Sequence, residues 1–390
     1  MAIAAIEKKR VFLARPIELA AIALVIAQAV YLAASYWQGT WILAPDGKGV
    51  PSDFVNVWAA GDLVLQNKPW LAYDWPAHKA VEDQAVGYSF AGYFGWHYPP
   101  MYLFVAATLA LLPYAPAYFA WLALTFPAYM GVVRAIIADR SGYLLAAAFP
   151  ALLANSVVGQ NGFLTAALFG GALVILVERP ILAGVLIGLL TYKPHLGLLI
   201  PFALIAGAHW RAFASASLTA LVIAALSLAA FGAQTWLAFF GSISQTSEAF
   251  LSNGWADFGK LQTILGLARM LGAPERAAWI LQGALAIAAV FAIIMIWRSK
   301  AAFELKAAAL VAGAMLATPY LYTYDLVVMA IPFAFMFRLA QRTRFLPYEA
   351  SGMGIACALI ASFPFFGVPV GFFALLIVAA LILRRALMRG

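Results

Sequence analysis

YPPMYLFVAATLALL (98–112), closed by PYAP (113–116), is the stretch on which the topology of this chain turns. It is apolar, but it is short for a membrane span, which needs roughly 20 residues to cross the hydrocarbon. Paired prolines mark both ends. Whether it crosses decides which side of a membrane every later loop faces. The composition of the rest of the chain calls for a membrane. Of its 390 residues 65% are hydrophobic and 10% are charged, and mean hydropathy is +0.91. A soluble domain carries roughly a quarter charged residues. The long apolar runs lack the alternation of an outer-membrane barrel strand. The expected fold class is an all-α polytopic membrane protein.

Apolar runs place twelve spans near 17–37, 117–137, 142–158, 162–177, 180–192, 195–208, 211–231, 276–297, 303–318, 325–338, 346–364 and 370–388. The positive-inside rule then arbitrates the disputed stretch. If 98–112 stays re-entrant or interfacial, the cytoplasm receives Lys8, Lys9, Arg10, Arg15, Arg134, Arg140, Arg179, Arg211, Arg298, Lys300, Lys306, Arg338, Arg342, Arg344, Arg384, Arg385 and Arg389, which is 17 of the 24 basic residues. If it crosses, the 13 of these beyond residue 112 move outside. The expectation is therefore about 12 transmembrane helices plus one non-crossing segment, in the cell (inner) membrane with both termini cytoplasmic. The basic N-terminus runs into a full-length span with no A-x-A-like cleavage site, and reads as a retained first helix. The net charge of +8 is accounted for by these topology signals, so no nucleic-acid partner is expected. The single cysteine, Cys357, forms no intrachain disulfide.

This topology puts five polar stretches on the outer face. The first is the long loop 38–97, with three Lys against Asp46, Asp53, Asp62, Asp74, Glu82 and Asp83. Within it VPSDFVNVWAAGD (50–62) has apolar residues at helical spacing, Trp58 among them, and is expected as an amphipathic helix on the membrane surface. Ser52 and Asp53 are residue types that cap such a helix. The others are VGQNG (158–162), TYKPH (191–195), the loop 232–275 and ATPYLYTYD (317–325). Lys193 and His195, beside Tyr192 at a helix start, suit a phosphate or pyrophosphate. Their plainer reading is a snorkelling lysine and an interfacial imidazole. Gln160 and Asn161 are turn residues that also offer amides to a sugar or phosphate. Tyr322 and Tyr324 fit an aromatic belt, whereas Asp325 opens an apolar run where a carboxylate is costly. It needs a cation or a substrate hydroxyl. His97 and Tyr98, next to Trp96, bring aromatic faces to the mouth of the disputed segment.

Several chemistries have no support. The four histidines show no HExxH and no paired Cys/His spacing for zinc. There is no Walker A loop, no dinucleotide fingerprint and no GxSxG elbow. No cofactor is expected and no metal is assigned, a divalent ion being left open.

Taken together, SDFVNVWAAGDL (52–63), HYPPMYLFVAATLALLPYAPAYFAW (97–121), GQNGFLTAAL (159–168), LAGVLIGLLTYKPHLGLLIPFALI (182–205) and ATPYLYTYDLVV (317–328) resemble glycosyltransferase family 87. The likeness covers roughly residues 50–335 in order. The family belongs to the GT-C class of membrane glycosyltransferases. The resemblance implies a polyprenyl-phosphate-linked sugar donor, a lipid or glycan acceptor, and inverting transfer on the outer face. Its characterised members are α-mannosyltransferases using polyprenyl-phosphate-mannose. GT-C enzymes carry the catalytic carboxylate in the first outer loop, the position of Asp53 here. Acceptor activation needs a base within hydrogen-bond reach, and the departing phosphate needs charge stabilisation, for which Lys193, His195 and Tyr192 are the candidates. Gln160, Asn161, His97, Tyr98, Trp58, Tyr322, Tyr324 and Asp325 are the candidate sugar or acceptor contacts, with Asp62 a weaker one. One departure stands out: the mannosyltransferases carry a histidine-bearing motif where this chain has TPYLYTYD, so mannose is an expectation from the family alone.

The expected layout is a single membrane domain: a GT-C-like module over 1–231 with outer loop 38–97, a second outer loop 232–275, and C-terminal helices over 276–390. The rival class is a secondary transporter or flippase of a lipid-linked sugar. It accounts for the spans and the buried polar groups, but not for polar motifs gathered at one face or for so long an outer loop.

Overall fold

The computed structural model describes residues 15–255 and 257–388. Lys8, Lys9, Arg10 and Arg389, used in the charge argument, lie outside them. Helices α1 (Arg15–Trp37), α2 (Phe54–Leu65), α3 (Trp75–Val86), α4 (Leu103–Ala110) and α5 (Tyr114–Ile137) are followed by α6 (Ser141–Ala147), α7 (Leu152–Val158), α8 (Gly162–Ile175) and α9 (Pro180–Leu189). Next come α10 (Pro194–Gly197), α11 (Ile200–Ala206), α12 (Trp210–Ser247), α13 (Ile264–Met270) and α14 (Glu275–Arg298). The chain closes with α15 (Phe303–Ala317), α16 (Ala330–Thr343), α17 (Glu349–Phe366) and α18 (Val370–Leu387).

Among the described residues seven helices are long and apolar enough to cross a membrane, or eight with α6 and α7 taken as one span bent by 59°. The other expected spans are shorter helices. Gly162–Ile175, Pro180–Tyr192 and Pro194–Ala206 are each of 10–17 residues, and α15 has 15. Some helices are exposed over nearly their whole length, with only 11% of the α1 window buried. Others are enclosed: in α15 every residue from Ala307 to Ala317 is buried. Its run of alanines, with Gly313, lets neighbouring helices approach closely.

The disputed segment forms the 3₁₀ turn Pro100–Tyr102 and α4. At 1.5 Å per residue the apolar helix Pro100–Ala110 rises only about 16 Å, half of a hydrocarbon core of about 30 Å. It lies against α2, where a Cβ on Gly61 would collide with the Ala106 carbonyl oxygen. Only glycine admits that approach. The α2 helix is therefore not a surface helix with one face in lipid. Eight of its twelve residues are buried, Asn56 and Gly61 included, because α4, α3 and the 3₁₀ turn Pro69–Tyr73 cover it.

At the far end of the bundle Arg385 is fully buried and binds both Glu349 oxygens, the Thr343 hydroxyl and the Arg344 carbonyl. This ties α16, α17 and α18 together away from the polar motifs.

Candidate active site

All five polar stretches contribute to one cavity of about 880 Å³. Asp53 reaches it from the residue before α2, Gln160 from the α7–α8 turn, Lys193 and His195 from the start of α10, and Asp325 from the 3₁₀ stretch Thr323–Met329. The α12 helix is kinked at Gly232 (φ 80°, ψ 163°). Beyond the kink, Phe239, Ser242, Ile243 and Thr246 form a further wall.

Asp53 does not cap α2: its side chain makes no capping bond and its backbone is helical (φ −55°, ψ −24°). Instead its Oδ2 accepts from Gln160 Nε2 at 3.2 Å. The Gln160 carbonyl oxygen in turn accepts from the Tyr98 hydroxyl at 2.9 Å, which fixes the amide with its NH₂ toward Asp53. The Asp53 Oδ1 takes no hydrogen bond from the described residues. Loss of hydration raises the Asp53 pKa to about 6, opposed by the Gln160 donation and by the charges of Lys260 and Lys193. At neutral pH it is an ionised carboxylate with more basicity than one in water.

The turn that delivers Gln160 depends on Gly159. Its φ is +68°, and a Cβ there would lie 2.7 Å from both Phe54 Cβ and the Tyr118 ring. A side chain would clash and strain the left-handed backbone together. The Asn155 Oδ1 accepts from Gly162 N at 2.9 Å and closes the turn from behind. Asn161 is buried and does not line the cavity; its carbonyl accepts from the Thr165 hydroxyl at 2.9 Å.

Read from the sequence, Lys193 offers a free positive charge. The structure instead pairs it with Asp325, Nζ to Oδ1 at 2.5 Å, with 5% and 2% of the two side chains exposed. Asp325 Oδ2 also accepts from Tyr322 N at 3.2 Å. The requirement that Asp325 find a cation is thus met inside the protein, and the pair carries no net charge. Lys193 sits 5.8 Å from the Tyr324 ring centre, and Tyr322 stacks on Tyr324 at 5.6 Å. His195 lines the cavity beside Tyr320, its Nε2 buried without a protein partner among the described residues. Tyr192 stacks on Tyr102 at 4.7 Å and shares a 2.6 Å hydrogen bond with Thr165. His97 lines the opposite wall, its Nδ1 3.1 Å from the Thr246 hydroxyl. Loss of hydration pushes its pKa down to about 4, so it is neutral.

Besides Asn161, two further candidates lie outside the cavity. Trp58 is outside the cavity, its indole donating to the Leu112 carbonyl at 2.8 Å, because the turn of α2 that carries it faces α4. Asp62 accepts from Gln66 at 2.6 Å and is equally remote. Sequence reasoning did not assign a site role to Asn56, one helical turn beyond Asp53, or to Lys260 of loop 232–275, on the 3₁₀ turn Phe258–Lys260, both of which line the cavity. The spacing of Asn56 from Asp53 held a signal, since i and i+3 share a helix face. Lys260 stood in a polar gap with no motif around it.

A carboxylate held by an amide and opening into an aromatic-lined cavity of a helical bundle supplies the groups that activation of a hydroxyl needs. The sequence profile of glycosyltransferase family 87 matches residues 96–319, more than half of the chain, and the chain belongs to that family: it is a membrane glycosyltransferase. Asp53 lies before the matched segment and Asp325 just after it. No curated protein and no solved structure matches the chain.

Proposed function

We propose that the protein transfers a sugar from a polyprenyl-phosphate-linked donor to a hydroxyl of a lipid or glycan acceptor, with inversion, on the extracytoplasmic face of the membrane. The observation that supports it most is Asp53: a carboxylate held by Gln160 and Tyr98, with one oxygen that takes no hydrogen bond from the described residues, at a cavity shared with His195. In the reaction Asp53 accepts the acceptor O–H proton as the acceptor oxygen bonds to the anomeric carbon. The bond from that carbon to the phosphate oxygen breaks, and its electron pair leaves with polyprenyl phosphate. Tyr192 and His195 flank the phosphate end. The tyrosines Tyr98, Tyr322 and Tyr324 offer faces and hydroxyls to the sugar and acceptor. Mannose, or another hexose or pentose, is the transferred group.

The orientation rests on the positive-inside rule and on the short rise of α4, with about twelve crossings and both termini cytoplasmic. The long lipid tail of the donor fits a cavity with the apolar side chains Phe239, Ile243, Phe250 and Phe363 on its walls.

The test is release of free polyprenyl phosphate from a panel of polyprenyl-phosphate sugars, with a membrane lipid extract as acceptor source. Wild type should release it and form a glycosylated product, and folded Asp53→Asn should lose at least about a hundredfold in rate. Equal activity of the two would remove Asp53 from the chemistry. Passage of the intact donor across proteoliposomes, with no chemical change, would replace transfer by transport.

A further inference from the structure

We propose that Lys260 is the cation that binds the phosphate of the lipid-linked donor, an assignment that rests on reading the cavity as a phosphate-donor site. The argument begins with charge. The cavity is lined by two lysines and two aspartates, Lys193, Lys260, Asp53 and Asp325. Lys193 and Asp325 neutralise each other in a buried ion pair. What remains is the Asp53 carboxylate and Lys260. Without Lys260 the cavity would be net negative and would repel an anionic ligand. A monoester or diester phosphate therefore meets, among the described residues, one lysine ammonium at the cavity that no ion pair holds.

The backbone that carries Lys260 is built rather than loose. Asp257 Oδ1 accepts from Gly259 N at 2.9 Å and caps the turn. Gln262 is fully buried and staples it from beneath. Its Nε2 donates to the Gly259 and Lys260 carbonyls at 3.0 and 3.2 Å, and its Oε1 accepts from Gly371 N at 2.8 Å at the head of α18. The Gln262 backbone N–H donates to the Leu321 carbonyl at 2.8 Å, and Leu261 bridges to Tyr322. The turn is thus locked to the Tyr320–Asp325 stretch, while Lys260 stays exposed at the cavity. An ordinary surface lysine needs no such anchorage. The unpartnered His195 Nε2 supplies a second polar contact for the same anion. The charge of Lys260 also lowers the pKa of Asp53, which places the two within electrostatic reach.

The test measures binding of farnesyl phosphate and of farnesol to the purified full-length protein by microscale thermophoresis. Wild type should prefer the phosphate. Lys260→Gln should reduce that preference by about tenfold or more, the worth of a hydrogen bond to a charged group, with farnesol affinity unchanged. Lys260→Arg should retain it. Full preference in Lys260→Gln overturns the assignment. So does an equal loss for farnesol, which would make Lys260 a structural residue. If wild type does not distinguish phosphate from alcohol, the phosphate-donor reading itself falls, and the assignment with it.

Discussion

Breaking the Lys193–Asp325 pair from either side should destabilise the protein far more than breaking it from both. The side chains are 5% and 2% exposed and meet at 2.5 Å. Lys193→Met leaves Asp325, among the described residues, with only the Tyr322 N–H, at 3.2 Å, to stabilise its charge. Asp325→Asn leaves a buried ammonium but keeps an acceptor for that N–H. Removing one partner of a buried pair typically costs about 3–5 kcal/mol, because an uncompensated charge stays behind. Independent sites would then give the double variant a loss of about 6–10 kcal/mol, the sum of the two. A coupled pair gives much less, since Lys193→Met combined with Asp325→Asn buries no charge: a net loss within about 2 kcal/mol of wild type is expected. Unfolding in mixed micelles at rising sodium dodecyl sulfate, followed by tryptophan fluorescence, measures all four corners of the cycle. Additive single losses, or singles below about 1 kcal/mol as for an exposed pair, would refute the view of this pair as a buried neutral unit. They would also return Lys193 to the phosphate as a free charge.

The initial rate should rise with pH through about 6 and flatten above it, since Asp53 acts as a base only when ionised and its pKa is raised to about 6. Gln160→Met removes a donor that favours the ionised form, so the limb should move to higher pH; initial-rate profiles of the two proteins check this, and an unmoved limb would separate Gln160 from Asp53. Gly61→Ala would drive a methyl into the Ala106 carbonyl oxygen and should cost about 1–3 kcal/mol or more by overpacking. Thermal unfolding in detergent measures it, and wild-type stability would mean that α2 and α4 are not so closely packed.

Much of the fold could be read from the chain because membrane helices are written in runs of apolar residues, and the runs near 17–37, 117–137, 276–297, 346–364 and 370–388 needed no tertiary information. The 98–112 stretch could be assigned only through charges elsewhere: its own residues fit a span or a half-span equally well. Span count was harder. Helices such as α8 and α9 are short because GQNG and TYKPH, with their turn-forming Gly and Pro, interrupt otherwise continuous hydrophobicity. The mostly buried state of α2 had no clear local sign either, since amphipathic spacing is the same whether the apolar face meets lipid or another helix.

The site divides along a physical line. Residue types announce themselves where a polar group sits at an apolar boundary, which is how Asp53, Gln160, His195 and Asp325 stand out in the chain, and all four do line one cavity. What the chain order hid was pairing. Lys193 and Asp325 lie 132 residues apart, and each alone reads as an available charge. Only their proximity shows that one cancels the other and that the balance of the cavity passes to Lys260, a residue with no motif around it. A free charge is a property of the folded neighbourhood, because the same ammonium attracts an anion or merely satisfies a carboxylate according to what stands within about 4 Å of it. Spacing in sequence can nominate charged groups for a site, and burial with a partner then decides which of them still act on a ligand.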